Sequence, residues 1–251
     1  MAQPHGRETA VTLGTLLLLD LDDTVMLSRR KLNPAEHTVS AVDAAGEALC
    51  HSTAQHLALL ERFRDALVVP VTGRSEAAMG RVRLPFSSYR VLDHGATVLY
   101  PDGSRDKVWD ARVGAGEDLT ELTAELEARF SPMAGYRVLP LETRAGPYGL
   151  CIKHAERGPE ATAQAAVALR ERASTLGWSF LNAPGAPSLV RPGVGKREAC
   201  VYLLEHLCPD RTRWVVFGAG DALSDVPFLS LCDFVVMPGQ SALMQALGGV
   251  E

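Results

Sequence analysis

Leu16 to Leu19 are four consecutive leucines, and the five residues that follow are Asp20-Leu21-Asp22-Asp23-Thr24. An apolar run this short, stopped abruptly by acids, suits a β-strand buried on both faces in the middle of a parallel sheet, although periodicity alone leaves a helix open. As a strand it carries Asp20 and Asp22 at its carboxyl end, the edge where open α/β sheets bind ligands. The run is far too short to cross a membrane and leads straight into carboxylates. The two acids therefore stand at the mouth of a candidate site.

The remaining composition is that of a folded soluble chain: 47% hydrophobic and 22% charged over 251 residues, enough for one large domain or two modest ones. A formal net charge of -5, with no basic run beyond Arg29-Arg30-Lys31, argues against nucleic acid as a partner. The five cysteines, Cys50, Cys151, Cys200, Cys208 and Cys232, are widely spaced and form no Cys-x-x-Cys pair. That pattern reads as reduced thiols in a cytoplasmic protein rather than as a zinc or iron-sulfur site. No membrane span and no basic-start signal peptide is visible, and the oligomeric state stays open.

Along the chain, residues 1 to 10 read as a loose leader, and Val11 to Leu19 as the first strand. Asn33-Pro34 has the form of a helix start, and helical character is expected to continue, with a break, to Arg64. Ala66 to Val71 reads as a second buried strand, ending in Thr72-Gly73-Arg74-Ser75. Tyr89 to Leu99 is expected to form strands around Asp93-His94-Gly95-Ala96, with His94 a turn or satisfied core residue. From about Asp106 the texture becomes helix, two strands, helix, two strands: Glu117 to Phe130, Tyr136 to Glu142, Tyr148 to His154, Pro159 to Leu176, Trp178 to Asn182 and Ser188 to Val190. That block is α+β in pattern, unlike the alternating β and α order on either side, so it reads as an insertion. Alternation resumes with a helix from Lys196 to Leu207 and strands at Trp214 to Phe217 and Phe234 to Met237, before a short helix from Ser241 to Leu247. The expected boundaries are a core formed by residues 1–105 and 187–251, and an inserted unit formed by residues 106–186.

Polar clusters thus follow or adjoin apolar strands at Asp20/Asp22/Thr24, Thr72/Gly73/Arg74, Lys196 and Asp221/Asp225. Converging aspartates raise one another's pKa, and a hard cation relieves the repulsion; oxygen ligands with room for water and phosphate suit Mg²⁺. A lysine, a hydroxyl and free backbone N–H groups are what a phosphate needs. The set describes phosphoryl transfer. Gly193-Val194-Gly195-Lys196 is not a P-loop, because Val190 stands where that motif needs glycine and Arg197 replaces its Ser/Thr. Gly218-Ala219-Gly220 is a poor dinucleotide fingerprint, with Leu223 at the third small position.

Taken as an ordered set, these clusters resemble the motifs of the haloacid dehalogenase (HAD) superfamily of phosphatases. Asp20-Leu21-Asp22-Asp23-Thr24 is similar to its first motif, Asp-x-Asp-x-Thr; Thr72 in Thr-Gly-Arg to the second; Lys196 to the third; and Gly220-Asp221 with Asp225 to the fourth. A large α/β block between the second and third motifs resembles the branch that includes sucrose-phosphate, trehalose-phosphate and mannosyl-phosphoglycerate phosphatases, general sugar phosphatases and phosphomannomutases. Two positions depart from the pattern: Asp23 stands for a frequent glycine, and Ser224 for the asparagine usual before the last aspartate.

The resemblance implies an α/β fold, a Rossmann-like parallel sheet core with an inserted α+β cap domain, and Mg²⁺-dependent hydrolysis of a small phosphorylated metabolite, with a sugar phosphate or related polyol expected. It implies that Asp20 attacks phosphorus and becomes an aspartyl phosphate, and that Asp22 protonates the leaving alkoxide and then takes a proton from water. Thr72 and Lys196 hold the phosphoryl oxygens, and Gly73 and Arg74 belong to the same substrate-binding loop. Asp20, Asp22 through its carbonyl, and Asp221 hold the metal, with Asp225 beside them orienting Lys196 or a metal-bound water. The cap excludes bulk water and selects the substrate, with Arg144, Lys153, His154 and Arg191 as candidate contacts. The alternatives are a phosphomutase of the same superfamily and a catalytically silent phosphosugar-binding protein.

Overall fold

The computed structural model describes residues 13–33, 37–116, 118–156, 160–183 and 185–248. Its first half contains β1 (Gly14–Leu19), β2 (Leu27–Ser28), β3 (Thr38–Val42), β4 (Ala48–Ser52), α1 (Ala54–Arg62), β5 (Leu67–Pro70), α2 (Glu76–Met79), β6 (Arg90–Leu92), β7 (Thr97–Leu99) and α3 (Lys107–Gly114). There follow α4 (Thr120–Phe130), β8 (Tyr136–Thr143), β9 (Gly146–His154), α5 (Ala163–Leu176), β10 (Ser179–Leu181) and β11 (Ser188–Val190). The chain closes with α6 (Lys196–Leu207), β12 (Trp214–Ala219), α7 (Val226–Leu229), β13 (Phe234–Val236) and α8 (Ala242–Ala246).

The central sheet has the order β13-β12-β1-β5 and is parallel throughout. The leucine run is strand β1, and successive side chains go to opposite faces as the pleat requires. Leu16 and Leu18 join Val69, Ala199, Leu203 and Phe228 on one face, whereas Leu17 and Leu19 join Met26, Leu92 and partly buried Leu57 and Leu60 on the other. Burial on both faces explains why the strand is apolar without alternation. It also fixes the carboxyl edge: Asp20 N–H donates to Ala219 C=O at 2.9 Å, and Val71 N–H to Leu19 C=O at 2.7 Å, so the turns after β1, β5 and β12 start level with one another.

A second sheet, β10-β11-β9-β8, is antiparallel. Together with α4 and α5 it encloses its own core of Leu122, Leu126, Phe130, Ile152, Leu169 and Leu189. The expected boundary at Asp106 falls ahead of α3, a helix that packs against both layers, in one cluster with Tyr148 and Val190 of the second sheet. Trp109 and Val113 lie in the same cluster as Leu16 and Tyr202, and the Trp109 indole donates to Gly95 C=O at 2.9 Å.

One expectation fails. The segment read as helical from Asn33 to Arg64 contains the antiparallel hairpin β3–β4, joined by β2, and only its last third is helix α1. Its proposed start at Pro34 lies outside the described residues. The hairpin forms because Asp43 Oδ1 accepts from Ala45 and Glu47 N–H at 2.9 and 3.0 Å, closing an Asx-type turn between the two strands. The leader falls among residues 1–12, and the start of the helix expected from Pro159 among residues 157–159; both lie outside the described residues. All five cysteines are free thiols. Among the described residues no helix is long and apolar enough to cross a membrane.

Candidate active site at the carboxyl edge of the central sheet

The site is assembled from four chain segments that meet at this edge. Directly after β1, Asp20 is 5% exposed; its Oδ1 accepts from Lys196 Nζ at 2.6 Å and its Oδ2 from the Thr24 hydroxyl at 3.1 Å. The turn is tightened by Leu21 C=O, which accepts from the N–H groups of Thr24, Val25 and Met26, and Asp23 sits in the left-handed region at φ 65°. Thr24 is thereby folded back beneath Asp20, 3.4 Å from Asp221 Oδ1.

Lys196 is the first residue of α6, at the end of a loop that comes from β11. Its amine bridges Asp20 and Asp225, the latter at 2.7 Å. Asp225 is 1% exposed and both its oxygens are engaged: Oδ1 by Lys196, and Oδ2 by the N–H groups of Asp221 and Ala222 at 3.2 and 3.1 Å. Asp225 thus positions both the lysine and the loop that carries Asp221. Burial opposes the charged amine, but Asp20 and Asp225 override it and hold Lys196 above its ordinary range.

Burial also pushes Asp20 up to about 7 against the pull of Lys196, and Asp225 and Asp221 add to the rise. Asp221 is raised to about 6, first by burial and then by Asp225 and Asp23. Oxygens of Asp20, Asp221 and Asp225 lie within 4.8 Å of one another. Three crowded carboxylates against one lysine form an oxygen-only donor set short of positive charge, which fits a hard divalent cation.

The second segment is the turn after β5. Thr72 is 1% exposed, and its hydroxyl accepts from Arg74 N–H at 3.2 Å. The Arg74 guanidinium grips Asp22 through two bonds of 2.7 Å, Nε to Oδ2 and one Nη to Oδ1. The same Nη is 3.1 Å from Cys50 Sγ on β4, so the unexpected hairpin backs this pair. Arginine's planar fork matches a carboxylate in a way a lysine does not.

A cleft of about 1480 Å³ lies over these groups and is lined by Asp20, Asp22, Thr72, Gly73, Arg74, Lys196, Asp221 and Asp225. None of the four cap candidates lines it. Arg144 is exposed and 3.8 Å from Glu76, Lys153 is exposed on β9 opposite Arg137, and Arg191 is buried beside Gly116. His154 lies against Tyr136, its Nε2 3.2 Å from Ala134 C=O, and is absent from the cleft wall. The second sheet reaches the cleft instead through Ser179 to Ala183, β10 and the residues after it. Their pattern gave no signal, because small, amide and apolar residues in a short strand look like any edge strand. His94 also faces the cleft; burial and then Lys196 bring it down to about 4, so it is neutral.

The fold is shared with solved phosphatases to which the chain is similar over most of its length. The chain is similar to the sucrose-phosphatase of Synechocystis sp. PCC6803, solved with sucrose and phosphate, at 18% identity and a TM-score of 0.58, over 94% of this chain and 87% of that one. A phosphatase of the haloalkanoate (HAD) enzyme superfamily from Bacteroides thetaiotaomicron matches at 16% identity and a TM-score of 0.54, over 98% of both chains. The C-terminal domain of Candida albicans trehalose-6-phosphate phosphatase matches at 13% identity and a TM-score of 0.58, over 87% and 73%. No family model and no curated protein sequence matches the chain.

Proposed function

We propose that the protein is a Mg²⁺-dependent phosphomonoester hydrolase that works through an aspartyl phosphate, with a sugar phosphate or related small metabolite as substrate. The observation that carries this reading is the unequal treatment of Asp20 and Asp22. Asp20 is buried on a rigid strand end with one oxygen on Lys196 and the other on Thr24, whereas Asp22 is half-exposed in the cleft in the grip of Arg74. One carboxylate is aimed and the other is accessible, which suits a nucleophile and an acid/base pair.

In this mechanism Asp20 attacks phosphorus and the leaving alkoxide departs toward Asp22, which gives up a proton to it. Asp22 then accepts a proton from the water that hydrolyses the acyl phosphate. Arg74 holds Asp22 at the mouth of the cleft through its two N–H donors. Thr72 and Lys196 bind the phosphoryl oxygens, with Asp225 keeping Lys196 in place. Asp20, the Asp22 carbonyl and Asp221 would hold Mg²⁺, which supplies charge neutralisation for the phosphoryl group. Residues 106–186 serve as the cap that excludes bulk water and chooses the alcohol. The protein works in the cytoplasm.

The similar sucrose-phosphatase and trehalose-6-phosphate phosphatase support a sugar phosphate as the substrate class. The test is release of inorganic phosphate from an aryl phosphate and from a panel of phosphorylated metabolites with Mg²⁺. Asp20→Asn is expected to abolish release while leaving the thermal midpoint close to that of the wild type. A fully active Asp20→Asn variant overturns the assignment, and isomerisation of a hexose phosphate without phosphate release points to the mutase.

A further inference from the structure

Backbone strain in this molecule is concentrated in the turn between β6 and β7. Asp93, His94 and Gly95 are consecutive residues with φ of 52°, 57° and 103°. A non-glycine residue in that region is strained and persists only where its surroundings enforce it. Here they do: Asp93 N–H donates to Arg74 C=O at 2.9 Å, His94 N–H to Thr72 C=O at 3.2 Å, and the Trp109 indole to Gly95 C=O at 2.9 Å. On the other side Gly95 touches the loop that opens α6, where a Cβ would lie 2.0 Å from Gly195 O. The turn is thus a wedge between the loop bearing Thr72 and Arg74 and the loop bearing Lys196.

A wedge needs only the backbone of residue 94, so the imidazole is left to be explained. The ring lies so close to Gly73 that a Cβ there would meet its Cε1 at 2.2 Å, and it lines the cleft alongside Thr72 and Lys196. No described residue hydrogen-bonds the ring. A neutral imidazole has one N–H to donate and one nitrogen to accept, and this one is held against Gly73 in the wall of the cleft that Thr72 and Lys196 also line.

We infer that His94 is a substrate-contacting residue that donates a ring N–H to the phosphoryl group of a phosphate monoester, alongside Thr72 and Lys196. The inference rests on the phosphatase reading and adds one ligand to the anion. A neutral donor strengthens anion binding without adding a further cation beside Lys196.

The probes are p-nitrophenyl phosphate for turnover with Mg²⁺ and inorganic phosphate as the competing ligand. His94→Phe keeps a ring over Gly73 but has no donor; the amide nitrogens of His94→Asn and His94→Gln approximate the positions of the two ring nitrogens. Losing a hydrogen bond to a charged group is expected to raise KM and the phosphate inhibition constant about 10- to 100-fold in His94→Phe, with Asn or Gln restoring most of it. A purely structural role would lower the thermal midpoint of all three without changing phosphate affinity, and that result overturns the inference. If His94→Phe does not fold, the wild-type protein decides: saturating inorganic phosphate should shift the His94 ring ¹⁵N resonances, and unchanged resonances also overturn it. An active Asp20→Asn variant would instead bring down the phosphatase reading, so the two failures are distinct.

Discussion

Lys196→Met keeps the length of the side chain and removes its charge, which isolates what the amine does for the folded site. Its Nζ lies 2.6 Å from Asp20 and 2.7 Å from Asp225, and the three side chains are 10%, 7% and 1% exposed. An exposed ion pair would contribute about 0–1 kcal/mol. At this burial, removing one partner strands the other, at a cost of about 3–5 kcal/mol. Two acids share this lysine, so the upper half of that range is expected. The loss falls unequally: Asp225 keeps two backbone donors, whereas Asp20 keeps only the Thr24 hydroxyl. Urea unfolding reads this out; with a slope of roughly 3 kcal/mol per molar, the midpoint falls by more than about 1 M. Asp20→Asn in the same chain should recover part of the drop, because it removes the stranded charge. A loss below about 1 kcal/mol, or no recovery in the double variant, would show that water rather than the amine solvates the acids and would refute the buried-triad account.

Two further perturbations test the neighbouring loops. Arg74→Lys retains the charge but cannot span both oxygens of Asp22; kcat on an aryl phosphate should fall by up to about 100-fold with little change in thermal midpoint, and an unchanged kcat would mean that the fork does not position Asp22. Gly95→Ala forces a Cβ to within 2.0 Å of Gly195 O at a φ of 103°; the strain should lower the thermal midpoint by at least about 4 °C, and a midpoint equal to wild type would show that the wedge yields freely.

What could be read from the sequence follows from which forces act locally. The strands β1, β5 and β12 were legible because burial on both faces makes a short run uniformly apolar, and α6 because Lys196 to Leu207 keeps helical spacing of Cys200, Leu203 and Leu204. Asp20, Thr72, Lys196 and Asp221 were legible as strand-end chemistry, and the structure brings them to one cleft. The β3–β4 hairpin was not, because alanines at 41, 44, 45 and 48 mimic a helix-former's composition, and the deciding signal was the single Asp43 turn. Nor were the cleft residues at 179–183, whose place depends on how the second sheet packs. Cations singled out by charge alone, Arg144 and Lys153, lie away from the cleft, since exposed charge says nothing about direction.

The order of charges explains why these segments must meet so closely. Asp20, Asp221 and Asp225 crowd within 4.8 Å with Lys196 as the amine that pairs Asp20 and Asp225, while Arg74 is committed to Asp22 and Lys31 to Asp23. The cations of the edge are therefore mostly spent on holding acids, and the cleft floor keeps a surplus of negative charge. A phosphate monoester brings more of the same sign. It can settle there only when donors are fixed before it arrives, because flexible donors would turn to the nearer carboxylates instead. That requirement gives a reason for the strained turn at 93–95: it ties the Thr72 loop, through the His94 N–H, to the Lys196 loop, against which Gly95 packs, so the two loops hold their spacing while the Lys196 amine rests on Asp20 and Asp225.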